Sequence, residues 1–256
     1  SNDKVINTRV SKKLYEKNLL YKGYSIQPYS WAAGSGLSSH ELNQPGCYRN
    51  IKDITVVAQF KVCRNAESDF LHGATDTDVF FLAWTTTPWT LLSNTALAIG
   101  PDIVYSLVRT VNPYNGNPVT VIMAKDLLPR YFPGPESGAG FSYKPGEGRD
   151  IPFRVLASWP GSQLAGIRYE QLMPFAKPEG GDAFRVIPGD FVTTGEGTGI
   201  VHIAPSFGAD DFRVAKQNGI GSLTLVDRRG CFTAETGEFS GRRVKENLPE
   251  GVRPVD

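Results

Sequence analysis

With 256 residues, of which 40% are hydrophobic, the chain is long enough to bury a sizeable core as one large domain. Its 27 basic residues nearly balance 26 acidic ones, so no global field draws in a polyanion and any RNA contact must be local. No apolar run approaches membrane-spanning length and no signal-peptide pattern opens the chain, which sets the expectation of a soluble, cytoplasmic protein with no membrane partner.

In chain order, residues 8–20 carry Val10, Leu14 and Tyr15 at helical spacing ahead of Gly23, which predicts one opening helix. Eight short segments rich in β-branched and aromatic residues follow, at 54–62, 79–84, 104–108, 119–123, 153–156, 184–187, 200–203 and 223–226, and each reads as a strand. Gly, Pro and Asn clusters punctuate them. Two further helices are predicted at 125–131 and 208–218, the second with Ser206 as its cap and Gly219 as its stop. Residues 133–150, with repeated Gly and Pro, read as a surface loop rather than a domain linker. The expected fold class is α+β, mainly β, with a barrel-like body and a few peripheral helices.

The three cysteines, Cys47, Cys63 and Cys231, are odd in number and never form C-x-x-C, which argues against a disulfide framework or a zinc knuckle. The three histidines lack any H-E-x-x-H arrangement, so neither a metal nor another cofactor is expected, and His40 and His72 read as surface or core residues.

Two segments carry chemistry. The apolar strand ending in Trp84 runs into Thr85-Thr86-Thr87-Pro88-Trp89-Thr90, where Pro88 ends the ladder and gathers three hydroxyls at a strand end. Such hydroxyls can hold a water, a carbonyl or a ribose but are too weakly acidic to act as unaided bases, and threonine is also simply a good strand residue. The second segment places a Gly-Thr-Gly turn at 197–199 before a strand that carries His202 on the face of Ile200 and Ala204, then a helix start with Asp210 and Asp211. A dinucleotide fingerprint fails there, because His202 stands where a third glycine is needed. The helix dipole should keep a carboxylate in that first turn ionised; capping and pairing with a ligand cation such as an α-ammonium are both open readings.

Together these segments resemble the editing insertion of the isoleucyl, valyl and leucyl family of aminoacyl-tRNA synthetases. The isoleucyl type is most similar: its pattern W-T-T-T-P-W-T-L followed by Asn is matched at 84–91 and Asn94, where the other types usually carry Arg after the second threonine. The motif G-T-G-I-V-H-x-A-P-x-F-G-x-D-D is matched at 197–211, and His202 is the discriminating letter, since valyl types tend to have Lys there and leucyl types Met. Residues 161–169 and 226–233 are also typical of the family, and 21–28 with 36–38 resemble the connector from the catalytic body, although Trp31-Ala32-Ala33 departs from it. The ATP-binding signatures H-I-G-H and K-M-S-K-S are absent from this stretch, so ATP belongs to the parent catalytic domain only. The resemblance implies a connector with the opening helix at 1–50, an editing domain at 51–240 and a return connector at 241–256.

It also implies a reaction: hydrolysis of the ester that joins valine, or a related small amino acid, to the acceptor end of tRNA(Ile), by a monomeric excised domain. One methylene distinguishes substrates by only about 1–3 kcal/mol, isoleucine against valine being the standard worked case, so a second sieve is needed. By the resemblance Asp211 grips the α-ammonium, Thr85, Thr86 and Thr87 line the adenosine and carbonyl side, Asn94 and His202 shape the pocket, and Trp89 is either a wall or a packing anchor. A valyl or leucyl editing domain, or a docking module that holds the acceptor end without turnover, are the alternatives. No G-x-S-x-G elbow supports a serine hydrolase. The pairs Arg228-Arg229 and Arg242-Arg243 can touch phosphates, but solvated charge is the commoner reason for such pairs.

Overall fold

The structure is a computed structural model that describes residues 2–20, 25–48, 50, 53–138, 141, 143–146 and 150–245. In chain order the elements are α1 (Asn2–Glu16), β1 (Tyr29–Ser30), β2 (Ser35–Gly36), α2 (Ser39–Leu42), β3 (Val56–Lys61), α3 (Asp69–His72) and β4 (Val79–Thr85). They continue with β5 (Ala96–Ile99), β6 (Val104–Val111), β7 (Pro118–Ala124), α4 (Leu128–Tyr131), β8 (Phe153–Pro160), β9 (Arg185–Pro188), β10 (Ile200–Ile203) and α5 (Ala209–Gln217). Short 3-10 turns lie at Pro88–Ser93, Lys125–Leu127, Gly161–Gln163 and Ala234–Phe239. The fold is mixed, with more strand than helix.

A five-stranded sheet runs in the order β3-β4-β7-β6-β8 and a three-stranded sheet in the order β10-β5-β9, beside the small β1-β2 pair. Isolated contacts link the two larger sheets at their edges. Val62, one residue past β3, bridges Tyr169, and Arg168 bridges Arg185 of β9. On the other side the Ala124 N–H, at the end of β7, donates to the Thr198 carbonyl just ahead of β10 at 2.9 Å. The two sheets are thus linked at their edges by isolated bridges and one hydrogen bond, without a closed barrel among the described residues, and β6 and β8 extend from β7 beyond these links.

The main core fills the space between these sheets, with Phe60, Phe81, Leu107, Ile122, Leu97 and Ile99 fully buried. Alternation along β5 sorts its four residues. Leu97 and Ile99 enter this core, while the small Ala96 and Ala98 face a second cluster in which Val214 and Ala215 of α5 pack on Ile187 and Ile203. Burial of each large aliphatic side chain contributes about 1.5–3 kcal/mol.

The Gly-Thr-Gly turn is set by close approach. A Cβ on Gly199, whose φ is +74°, would lie 2.4 Å from the Ala124 Cβ, and one on Gly197 would lie 3.0 Å from the Trp84 ring. Thr198 Oγ1 donates to the Leu82 carbonyl at 2.6 Å, and Tyr105 Oη donates to the Gly199 carbonyl at 2.7 Å. These contacts lock the start of β10 against β4.

The structure departs from the expected elements at several places. The opening helix spans Asn2–Glu16 rather than 8–20. The stretch 125–131 is a 3-10 turn followed by the single-turn α4, because Pro129 cannot donate to an earlier carbonyl. Residues 223–226 do not form a strand: they make one bridge, Val226 to Phe232, while Leu223 and Leu225 pack on Leu92. β5 was not expected, since its uninterrupted apolar run has no period-two signature. The described parts of 133–150 carry no helix or strand. Residues 21–24 and 246–256 of the expected connectors lie outside the described residues.

Candidate functional site

β4 delivers the threonines. Thr85 ends the strand, and Pro88 opens the 3-10 turn Pro88–Ser93 at its first position, where a missing N–H costs nothing. In a 3-10 turn residues three apart share a side, so Thr87 and Thr90 come together. The Thr90 hydroxyl donates to the Thr87 carbonyl at 2.8 Å and lies 3.3 Å from the Thr87 hydroxyl. Thr87 in turn sits 3.4 Å from the buried Thr85 hydroxyl, which also accepts the Thr87 N–H at 3.0 Å. Thr86 is different: its side chain is exposed and makes no hydrogen bond among the described residues. Of the three hydroxyls at the strand end, Thr86 is therefore the one left for a visitor.

β10 delivers the histidine. His202 faces the same side as Ile200 and lies opposite Leu97 of β5. Its Nε2 is 3.0 Å from Thr90 Oγ1, which ties the two motifs together across 112 residues. Because the single Thr90 proton goes to the Thr87 carbonyl, the hydroxyl accepts from the ring, which assigns the histidine proton to Nε2. Nδ1 is then a bare acceptor, buried and without a partner among the described residues. Burial drives the His202 pKa down to about 4, so the ring is neutral near neutral pH.

The two aspartates part company. Asp210 is exposed and pairs with Arg213 at 3.3 Å, and Arg213 also holds Asp190 at 2.9 Å. Asp211 is half-buried, and its Oδ2 accepts the Ala204 N–H at 2.9 Å, two residues beyond His202. The expected cap Ser206 is not the cap: its hydroxyl is 2.5 Å from Thr224 Oγ1, and Gly208 occupies the cap position. A Cβ there would come within 2.8 Å of Asp211 Cγ, which is why glycine stands at 208. The helix dipole favours a charged carboxylate here, but the surroundings of Asp211 work partly against it. Burial pushes the Asp211 pKa up, the Ala204 N–H pulls against it, and the neighbouring Asp210 charge adds to the rise. An ammonium brought to this carboxylate would relieve that cost.

Trp89 packs edge-to-face on Phe207 at 5.1 Å, which joins the 3-10 turn to the loop between β10 and α5. Asn94 is buried. Its amide accepts the Tyr169 hydroxyl at 2.7 Å and donates to the Ala96 carbonyl at 2.8 Å, and it is 3% exposed. It holds the end of the 3-10 turn to β5 from inside the wall. Among the described residues, clefts of about 690, 530, 350 and 590 Å³ open elsewhere, and these are not lined by Thr85, Thr86, Thr87, His202 or Asp211. Of the arginine pairs near the end, Arg229 is held by Asp227 at 2.9 Å and Arg243 lies over the Trp31 ring at 4.4 Å.

Thr90 is the residue that sequence reasoning missed, and the available signal was Pro88, whose turn-opening role puts Thr90 over Thr87. The two motifs therefore hold an exposed hydroxyl at Thr86, a neutral buried imidazole tied to Thr90, and a half-buried carboxylate anchored by the Ala204 N–H, with the 3-10 turn and the loop before α5 joined by the Trp89–Phe207 contact.

No protein-family model matches the chain. Curated relatives do. The isoleucine–tRNA ligase of Porphyromonas gingivalis is 60% identical over 220 residues, covering 85% of this chain and 19% of that protein. That of Cytophaga hutchinsonii is 55% identical over 246 residues, covering 92% and 21%, and that of Treponema denticola 39% identical over 254 residues, covering 93% and 22%. Solved structures with a partial likeness include GlLeuRS-CP1, at 18% identity and a TM-score of 0.48 over 64% of this chain and 60% of that one. The P. knowlesi cytosolic leucyl-tRNA synthetase editing domain has 15% identity and a TM-score of 0.46 over 62% and 60%. No helix among the described residues is long and apolar enough to cross a membrane. The chain spans about one fifth of the length of the curated relatives it matches, and over that span it belongs to the isoleucine–tRNA ligase family.

Proposed function

We propose that this chain is the editing domain of an isoleucine–tRNA ligase, and that it hydrolyses the ester of valine mischarged to tRNA(Ile) in the cytoplasm. The observation that carries the reading is the hydrogen-bonded run from Thr85 through Thr87 and Thr90 to His202, with Asp211 anchored two residues further on. It brings the two motifs to one place in a chain that is 60% identical to a segment of such a ligase. In this reading 51–240 is the editing domain proper, and 1–50 and 241–256 connect it to the rest of the enzyme.

An aminoacyl ester is already activated, so the site has to orient a water, accommodate the oxyanion and hold both halves of the substrate in register. Water adds to the acyl carbon, the bond from that carbon to the ribose oxygen breaks, and the water proton ends on the ribose oxygen. Free valine and an intact tRNA end are the products. Asp211 pairs with the α-ammonium, and its desolvated carboxylate gains most from a charged partner. Thr86 meets the adenosine and carbonyl side, and Thr85 and Thr87 support it. His202, held neutral and oriented by Thr90, borders the side-chain pocket; a ring with a pKa near 4 is a poor base, so a neighbouring ribose hydroxyl assists proton transfer instead.

Time-resolved deacylation of valyl-tRNA(Ile) by the chain tests the proposal. Release of valine in preference to isoleucine from the matching esters is expected. Tight ester binding without turnover would mean a docking module instead, and faster release of threonine or norvaline than of valine would mean a valyl- or leucyl-type site.

A further inference from the structure

A second hydroxyl cluster lies at the other end of β4. Thr120 of β7 stands opposite Arg109 of β6, and Arg109 stands opposite Arg154 of β8, so the three form one row across three strands. The Thr75 and Thr77 hydroxyls close on that of Thr120 at 2.7 and 2.8 Å. Arg109 Nη1 donates to Thr77 at 2.9 Å and to Thr75 at 3.3 Å, and it pairs with Asp76. Thr75, Asp76, Arg109 and Arg154 line a cleft of about 690 Å³.

Like charges directly opposite across antiparallel strands are destabilising, so the two arginines need counter-charge. Only part of it is supplied. Asp76 neutralises Arg109 but is itself 85% exposed, and Arg154 has no ion-pair partner among the described residues. The carboxylate of Glu136 is engaged by the Val155 N–H at 3.2 Å. The bonds of Arg109 among the described residues all use Nη1, so Nη2 and Nε remain as donors. Two guanidinium forks with spare donors and one uncompensated positive charge suit a phosphate oxyanion. A chain with a net charge of only +1 must hold RNA through such local spots.

We infer that the cleft between β6, β8 and the 75–77 segment is a second RNA contact, in which Arg154 and Arg109 hold a backbone phosphate. Thr120 lies opposite Val79, six residues before Thr85, so the contact is about 20 Å from the ester site along β4. The inference rests on the editing-domain reading, because that reading makes tRNA the partner.

The test is a tRNA titration over a range of salt concentrations with the wild-type chain, Arg154→Gln and, as a control, Arg130→Gln at an exposed arginine on α4. Loss of one phosphate contact lowers the slope of log affinity against log salt by roughly 0.7–0.9 and weakens binding several-fold. That change is expected for Arg154→Gln and not for Arg130→Gln, while hydrolysis of valyl-adenosine, which lacks the rest of the tRNA, keeps its rate in both. An unchanged slope in Arg154→Gln, an equal loss in the control, or no salt-dependent tRNA binding by wild type would overturn the inference. So would uptake of inorganic phosphate at this cleft that tRNA fails to displace. Failure of wild type to hydrolyse valyl-adenosine is a separate result and counts against the editing reading alone.

Discussion

β4 carries a threonine cluster at each end, and the two differ in what sits beside the hydroxyls. At the Thr85 end Thr85, Thr87 and Thr90 lead to His202, a buried ring with no charged partner and a pKa held near 4. At the Val79 end Thr75, Thr77 and Thr120 lead to Arg109, a permanent cation already paired with Asp76. The hydroxyls themselves have the same chemistry, so the neighbour decides the use. A neutral imidazole held by Thr90, followed two residues on by the N–H that anchors the Asp211 carboxylate, suits the proposed site for a polar substrate. A cation lining an open cleft suits a site that only holds an anion.

The largest expected effect sharpens the first half of that contrast. Asp211→Asn keeps an acceptor for the Ala204 N–H but removes the charge, so the fold should survive while the ammonium loses its partner. Breaking a buried charge pair costs about 3–5 kcal/mol, and for this half-buried carboxylate the lower end, a loss of about two orders of magnitude in kcat/KM for the valyl ester, is expected. Full activity in a normally folded variant would remove Asp211 from the site. The next effect concerns pH. His202 titrates near 4 in the folded chain and near 6.5 when unfolded, so between those values the unfolded chain binds more protons. Stability is therefore complete above about pH 6.5 and falls as the pH drops towards 4, by about 3 kcal/mol in total. The raised pKa of Asp211 acts in the opposite direction and offsets part of that loss. Urea unfolding of wild type and His202→Asn at about pH 7 and about pH 4.5 reads the difference, and the gap between them should narrow at the lower pH.

Much of this contrast was legible in the sequence. Residues 79–84 and 200–203 announced themselves by β-branched and aromatic content, and Asp210 and Asp211 by their place after a Pro-terminated strand. What stayed hidden depends on partners remote in the chain. Ala96-Leu97-Ala98-Ile99 is buried on both faces, so it shows no alternation, and its strand character comes from β9 and β10 beside it. Residues 223–226 have the composition of a strand but find no ladder partner beyond one bridge. Asn94 belongs to the motif, yet the Tyr169 hydroxyl, 75 residues away, turns it inward. Asp211 looked like a helix-start charge, and only its depth beside Ala204 reveals the desolvation that moves its pKa.

The smallest expected effect is the one that separates the clusters most cleanly. Valine has the shape of threonine without the hydroxyl, so Thr90→Val and Thr120→Val make the same chemical change at the two ends of the system. Thr90→Val strips a partner from the Thr87 carbonyl and from the His202 Nε2–H, and stranding buried polar groups costs about 1–3 kcal/mol. Thr120→Val leaves Thr75 and Thr77 bonded to each other at 3.2 Å and to Arg109, so its cost should sit at the lower end, about 1 kcal/mol. Stability alone barely distinguishes them. The ratio of valyl to isoleucyl ester hydrolysis does: freeing the imidazole should shift that ratio in Thr90→Val, whereas Thr120→Val leaves it at the wild-type value because its cluster touches no part of the ester site. Equal shifts in both variants would mean that the histidine is not what distinguishes the two ends of β4.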